Sequence, residues 1–129
     1  KLSDYLGQYV ILYFYPMDNT PGCTKEACNF RDSYSEIRAL NATILGVSWD
    51  SPDIHKSFRE KYSLPFTLLS DKEGSVSAAY KASGWFTPKR YTYIINPKGI
   101  IVNVYKGFEL ATHSDEIISF IKNTKKPKN

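Results

Sequence analysis

The chain has 129 residues, 42% hydrophobic and 15% aromatic, and 17 Lys and Arg against 13 Asp and Glu give a formal charge of +4. This suits one domain with one core, and no apolar run approaches the ~20 residues of a membrane-spanning helix. The two cysteines are too few for the disulfide framework of a small secreted module and lack the paired Cys-x-x-Cys of a structural zinc site, so catalytic or redox use gains by elimination.

Residues 9–15, an unbroken apolar and aromatic run, read as a strand buried on both faces. A helix start follows. Thr20 is its expected cap, Pro21 suits the first helical position, and Cys23 falls in the first turn. A thiol there feels unpaired N–H groups and the positive end of the helix dipole, which favours the thiolate and makes Cys23 a candidate nucleophile. Burial as an inert thiol is disfavoured at such a helix start. In a continuous helix Cys28 lies roughly 7 to 8 Å further along the axis and about 140° around it. A bond between the two sulfurs then requires the first turns to unwind, because a relaxed disulfide holds its Cα atoms within roughly 7 Å. The helix is expected to end near Leu40 and Asn41, with Glu26, Arg31 and Asp32 as a local charge network worth little if exposed.

Residues 43–49 form a second strand. Ser51 and Pro52 then open a helix whose buried stripe is expected at Ile54, Phe58 and Tyr62. Pro65 closes it, a short strand at 66–69 meets the turn signal at 70–74, and a weaker helix spans 76–82. Residues 83–89 read as loop, in which Trp85 and Phe86 are assigned to closing the core in preference to lining a pocket mouth. Strands at 90–95 and 100–105 flank Asn96-Pro-Lys-Gly99 and should pair antiparallel. The last helix starts near Thr112 or Ser114, buries Ile117, Ile118 and Ile121, and ends at Lys122.

His55 and His113 are expected in solvated, helix-proximal positions. A single domain over 1–124 leaves a basic, disordered tail at 125–129. With no aromatics among its lysines, the tail does not read as a nucleic-acid or membrane contact. The order β-α-β-α-β-α-β-β-α, with right-handed crossovers, gives an α/β fold of thioredoxin-like arrangement. Its central sheet is mixed, with helices on both faces and a hairpin at one edge.

The chain resembles a peroxiredoxin of the Q type, also called bacterioferritin comigratory protein. The family's Pro-x-x-x-Thr-x-x-Cys stands here as Pro16, Thr20 and Cys23, and the subtype's Cys-x-x-x-x-Cys is completed by Cys28. The flanking words Tyr13-Phe-Tyr-Pro16, Glu26-Ala27 and Phe30-Arg-Asp32 agree, and the likeness runs from about Leu2 through the last helix. The family's N-terminal segment is missing ahead of the first strand, so upstream residues are expected.

What the resemblance implies is a thiol-dependent peroxidase acting on hydrogen peroxide and organic hydroperoxides. Cys23 is then the peroxidatic cysteine, oxidised to a sulfenic acid, and Cys28 resolves it as an intramolecular disulfide. Thr20 contributes a hydroxyl to the peroxide oxygens, Pro16 shapes and shields the pocket, and Arg90 approaches the thiolate. A thioredoxin-like reductant closes the cycle with no cofactor or metal. A cytoplasmic monomer is the expected state.

Two rivals are weighed. A thiol-disulfide oxidoreductase of the thioredoxin class is disfavoured because it uses Cys-x-x-Cys. A copper-binding module would need His55 or His113 to approach both thiols.

Overall fold

The computed structural model describes residues 2–84, 87–110 and 112–125. Trp85 and Phe86, assigned above to the core, and residues 126–129 of the basic tail lie outside the described residues. A 3-10 turn, Leu2–Tyr5, leads into β1 (Tyr9–Phe14), all six residues of which are buried. Side chains alternate across a strand, so β1 feeds two cores. Tyr9, Ile11, Tyr13 and Tyr15 belong to one cluster, and Val10, Leu12 and Phe14 to the other. A strand at the centre of a sheet has no solvated face, which is why its sequence does not alternate.

β2 (Ala42–Ser48) and β3 (Thr67–Ser70) join β1 in parallel on one side. β4 (Thr92–Ile95) and β5 (Ile101–Tyr105) complete the order β3-β2-β1-β4-β5, with β4 antiparallel to β1 and β5 antiparallel to β4. The expected mixed, thioredoxin-like sheet with its edge hairpin is what forms. One face is covered by α1 (Pro21–Asp32), α2 (Tyr34–Ala39), Phe58 of α3 (Pro52–Tyr62) and α5 (His113–Lys125). The other receives Tyr5, Tyr80 at the end of α4 (Ser75–Ala79), Ala82 and Tyr91.

Three expectations need correction. The first helix does not run to Leu40 but breaks at Ser33, at φ −103° and ψ 4°, where the hydroxyl meets Ser114 Oγ at 2.9 Å. Serine forms such bonds more readily at a helix boundary than inside a helix, and here the partner comes from α5. On α3 Phe58 and Tyr62 pack on the core as expected, but His55 takes the inward place expected of Ile54. Ile54 is 44% exposed, whereas His55 and Phe58 are buried. The final helix runs three residues beyond Lys122, with Ile117, Ile118 and Ile121 buried as expected and Thr124 Oγ1 donating back to the Ile121 carbonyl. Among the described residues no helix is long and apolar enough to cross a membrane.

Candidate active site

The connection from β1 to α1 places the expected site residues. Tyr15 N–H still bonds Val47 O at 3.1 Å, and Pro16 then ends the strand because it has no N–H to continue the ladder. Thr20 stands at the N-cap of α1 with extended backbone, and Pro21 takes the first helical position. The cap differs from expectation in its chemistry. Thr20 Oγ donates to Met17 O at 2.8 Å and accepts from no helix amide. A carbonyl only accepts, so the Thr20 hydroxyl is the donor in that bond and keeps its lone pairs for any group brought near it.

Cys23, Glu26, Ala27 and Phe30 recur at helical spacing and form the buried face of α1. Contrary to the expectation of an exposed thiol at the helix start, Cys23 is 1% exposed. Cys23 packs on the same core as Tyr13 and Tyr15, so the inward side of the first turn is covered. Both cysteines are free thiols. Cys28 is half-buried and outside that buried face, beside Arg31.

The guanidinium of Arg90, two residues before β4, bridges two groups of α1. Its Nη2 lies 3.4 Å from Cys23 Sγ and its Nη1 donates to Glu26 Oε1 at 2.8 Å. Gly22 leaves room for it. A Cβ there would stand 3.2 Å from Arg90 Nη2, closer than most side-chain contacts, so the guanidinium would have to give by a few tenths of an ångström. Glu26 therefore does not join Arg31 and Asp32 in a surface network. Arg31 and Asp32 pair with each other at 3.0 Å, while Glu26 is 1% exposed and its Oε2 has no hydrogen-bond partner. Burial pushes the Glu26 carboxyl up to about 7, against the opposing pull of Arg90. Burial also draws Arg90 down, but Glu26 and Cys23 outweigh it and hold the guanidinium charged.

Both histidines are buried and neither reaches a cysteine. His55 Nδ1 is 2.5 Å from Asp18 Oδ2 and its Nε2 is 3.0 Å from Leu69 O. His113 Nε2 meets Thr92 Oγ1 at 2.9 Å, its ring stacks on Phe108 with centroids 3.6 Å apart, and burial lowers its titration to about 4. Among the described residues one group could gather three metal-ligating side chains, Asp18, Asp50 and His55, and it contains no cysteine. Copper held by both thiols and a histidine is not favoured. A surface groove of about 690 Å³ between α3 and β3 includes neither Cys23 nor Arg90.

A covered thiol thus stands in the first turn of a helix, with a guanidinium against its sulfur and a thioredoxin-like sheet beneath. Residues 1–104 match the model of the AhpC/TSA family, and the chain belongs to that family. It is 40% identical over 133 residues to peroxiredoxin Bcp of Bacillus subtilis, covering 95% of this chain and 83% of that protein. A chloroplastic peroxiredoxin Q of Populus jackii is also 40% identical, over 95% of this chain, which spans 60% of the length of that relative. The bacterioferritin comigratory protein of Xanthomonas campestris, solved in a study of its alkyl peroxide reduction activity, superposes with a TM-score of 0.92 at 30% identity, covering 98% of this chain and 85% of that one.

Of the residues the sequence singles out, Cys23, Cys28, Thr20, Pro16 and Arg90, the structure brings Cys23 and Arg90 into contact, and it adds Glu26, which the sequence reading had put in a local network with Arg31 and Asp32. The available signal was the spacing of 23, 26, 27 and 30, which sets Glu26 on the same helical face as Cys23.

Proposed function

We propose that the protein is a thiol-dependent peroxidase in which Cys23 attacks and Cys28 resolves. The observation that carries this reading is the guanidinium of Arg90 shared between Cys23 Sγ and Glu26 in a member of this family. A permanent cation against sulfur favours the anionic, nucleophilic form. The Cys23 thiolate attacks one oxygen of a hydroperoxide, so that an S–O bond forms, the O–O bond breaks, and the departing hydroxide or alkoxide takes a proton to leave as water or alcohol. Negative charge develops on that oxygen, and the donors within reach of the helix start are the Arg90 guanidinium and the free amides of the first turn. Thr20, with its hydrogen committed to Met17 O, accepts from the peroxide O–H, and Pro16 shields the pocket.

The Cys28 thiol then attacks the sulfenic sulfur, water leaves, and a Cys23–Cys28 disulfide forms. Because the two side chains lie on different sides of α1, the first turns of the helix must open for this step. Thiol-disulfide exchange with a thioredoxin-like dithiol returns both cysteines to the reduced state. Hydrogen peroxide and organic hydroperoxides are the substrates; the alkyl peroxide work on the Xanthomonas campestris relative supports the latter. A monomer, a single domain over 1–124, and a cytoplasmic location belong to the same proposal, the last on likeness to the bacterial relatives.

The test is stoichiometric. Reduced protein mixed with one equivalent of hydrogen peroxide should lose two free thiols and the peroxide together, and should turn over with NADPH, thioredoxin and thioredoxin reductase. Peroxide left unconsumed would rule out the reading.

A further inference from the structure

Asp18 lies on the connection from β1 to α1, two residues before Thr20, and it is held from three directions. Its N–H donates to Asp50 Oδ2 at 2.9 Å, its Oδ1 accepts from Tyr15 OH at 2.5 Å, and its Oδ2 lies 2.5 Å from His55 Nδ1. Asp50 is itself fixed by Ser48 Oγ at 2.6 Å. The other ring nitrogen of His55 faces the Leu69 carbonyl at 3.0 Å. A carbonyl only accepts, so Nε2 bears a hydrogen, and contact between Nδ1 and a carboxylate oxygen requires a second proton between them. Tyr15 has already given its hydrogen to the other oxygen. The pair therefore holds one proton more than a neutral imidazole beside a free carboxylate. Asn19, the next residue, sits at φ +65°, a backbone conformation that persists when both flanks are fixed.

We propose that His55 is a positioning residue for the peroxide reaction. Its doubly protonated ring, clamped between Leu69 O and the Asp18 carboxylate, fixes the 15–20 connection so that Thr20 and the first turn bearing Cys23 stay in register with Arg90. The inference rests on the reading of Cys23 as the attacking thiol. Nothing else assigns His55 a task, and its burial at 3% exposure alongside Asp18 at 4% leaves water little part in the pair.

Loss of the shared proton removes the clamp. Burial draws the His55 titration down, but the Asp18 hydrogen bond and charge, the Leu69 carbonyl and the Asp50 charge raise it further, and the net direction is upward. A raised imidazole holds its proton below the ordinary range and gives it up as pH climbs through the folded value, so the clamp is complete at low pH and weakens at high pH. The charged and titratable groups against the ring are Asp18 from the connection, Tyr15 from the end of β1 and Asp50 from the loop before α3, and Lys56, Arg59 and Glu60 of its own helix line the adjoining α3–β3 groove.

The experiment combines a ring titration of His55 by NMR with amide exchange at residues 17–20 and single-turnover oxidation of Cys23 by hydrogen peroxide, in the wild type and in His55→Gln. In the wild type, protection at 17–20, measured as the exchange rate relative to the intrinsic rate at each pH, should fall as the ring loses its proton. The variant should exchange fast at every pH and react with peroxide roughly tenfold more slowly than the wild type below that titration. The two proteins should converge above it. A residue of merely structural worth would lower the rate by the same factor throughout. Should the variant fail to fold, the wild-type profile decides, since unchanged protection at 17–20 across the ring titration overturns the proposal. A constant rate ratio, or a variant as fast as the wild type, overturns it as well. A wild type inert toward peroxide defeats the peroxidase reading instead, and the exchange step then judges the clamp alone.

Discussion

The two cysteines sit five residues apart on one helix and occupy different chemical worlds. Cys23 is on the buried face, 3.4 Å from a guanidinium and 1% exposed; Cys28, half-buried, lies outside that face beside Arg31. The residue type is the same. What separates them is about 140° of helical rotation, which presents one sulfur to Arg90 and turns the other from it. The comparison teaches that the helix keeps the two thiols apart while it is folded, so under the proposed function attack belongs to the folded state and resolution to an opened one.

The sharpest way to break this comparison is to remove one sulfur at a time. Cys23→Ser should lower peroxide consumption by on the order of 10³-fold or more, followed as loss of hydrogen peroxide by the reduced protein. Arg90→Met should come next, slowing the first turnover by roughly 10²-fold, because it withdraws the cation from the reacting sulfur and leaves the buried Glu26 without its partner. Cys28→Ser should leave that first turnover within about twofold of the wild type, while thioredoxin-supported turnover disappears. In the wild type, peroxide should speed amide exchange over residues 20–31, and equal protection before and after oxidation would contradict an opened resolving state.

The smallest expected effect is one of stability and separates the buried face by its proton. Glu26, with an ordinary value of 4.5 raised to about 7, binds its proton more tightly when folded. Its contribution favours the folded chain at acid pH and is lost as pH rises through 7. His113 has the opposite sign. Held at about 4 against an ordinary 6.5, it disfavours folding as pH falls through that interval. Glu26→Gln should therefore gain on the wild type by on the order of 1 to 3 kcal/mol between pH 5 and pH 8, measured by urea unfolding at each pH.

Much of this was legible in the sequence because local signals agreed with each other. The run at 9–15 could only be a central strand, Thr20-Pro21 marked a helix start, and Asn96-Pro-Lys-Gly99 marked a hairpin. The break at Ser33 was not, since no Gly or Pro announces it and its partner Ser114 is 81 residues away. Ile54 and His55 exchanged places because hydrophobicity was read as the guide to the inward face. Asp18, itself buried, offers the imidazole a partner that lets it go inside. Glu26 was missed for the same reason: a carboxylate looks solvated until the arginine that accompanies it, 64 residues later, is placed beside it.

The central claim is tested most directly by peptide mapping of the non-reduced protein after one equivalent of hydrogen peroxide. Mass spectrometry should find a single species in which the Cys23 and Cys28 peptides are joined within one chain, two hydrogens lighter than the reduced form. Recovery of Cys28 as a free thiol while Cys23 carries the oxidation, or of both thiols intact, would contradict it.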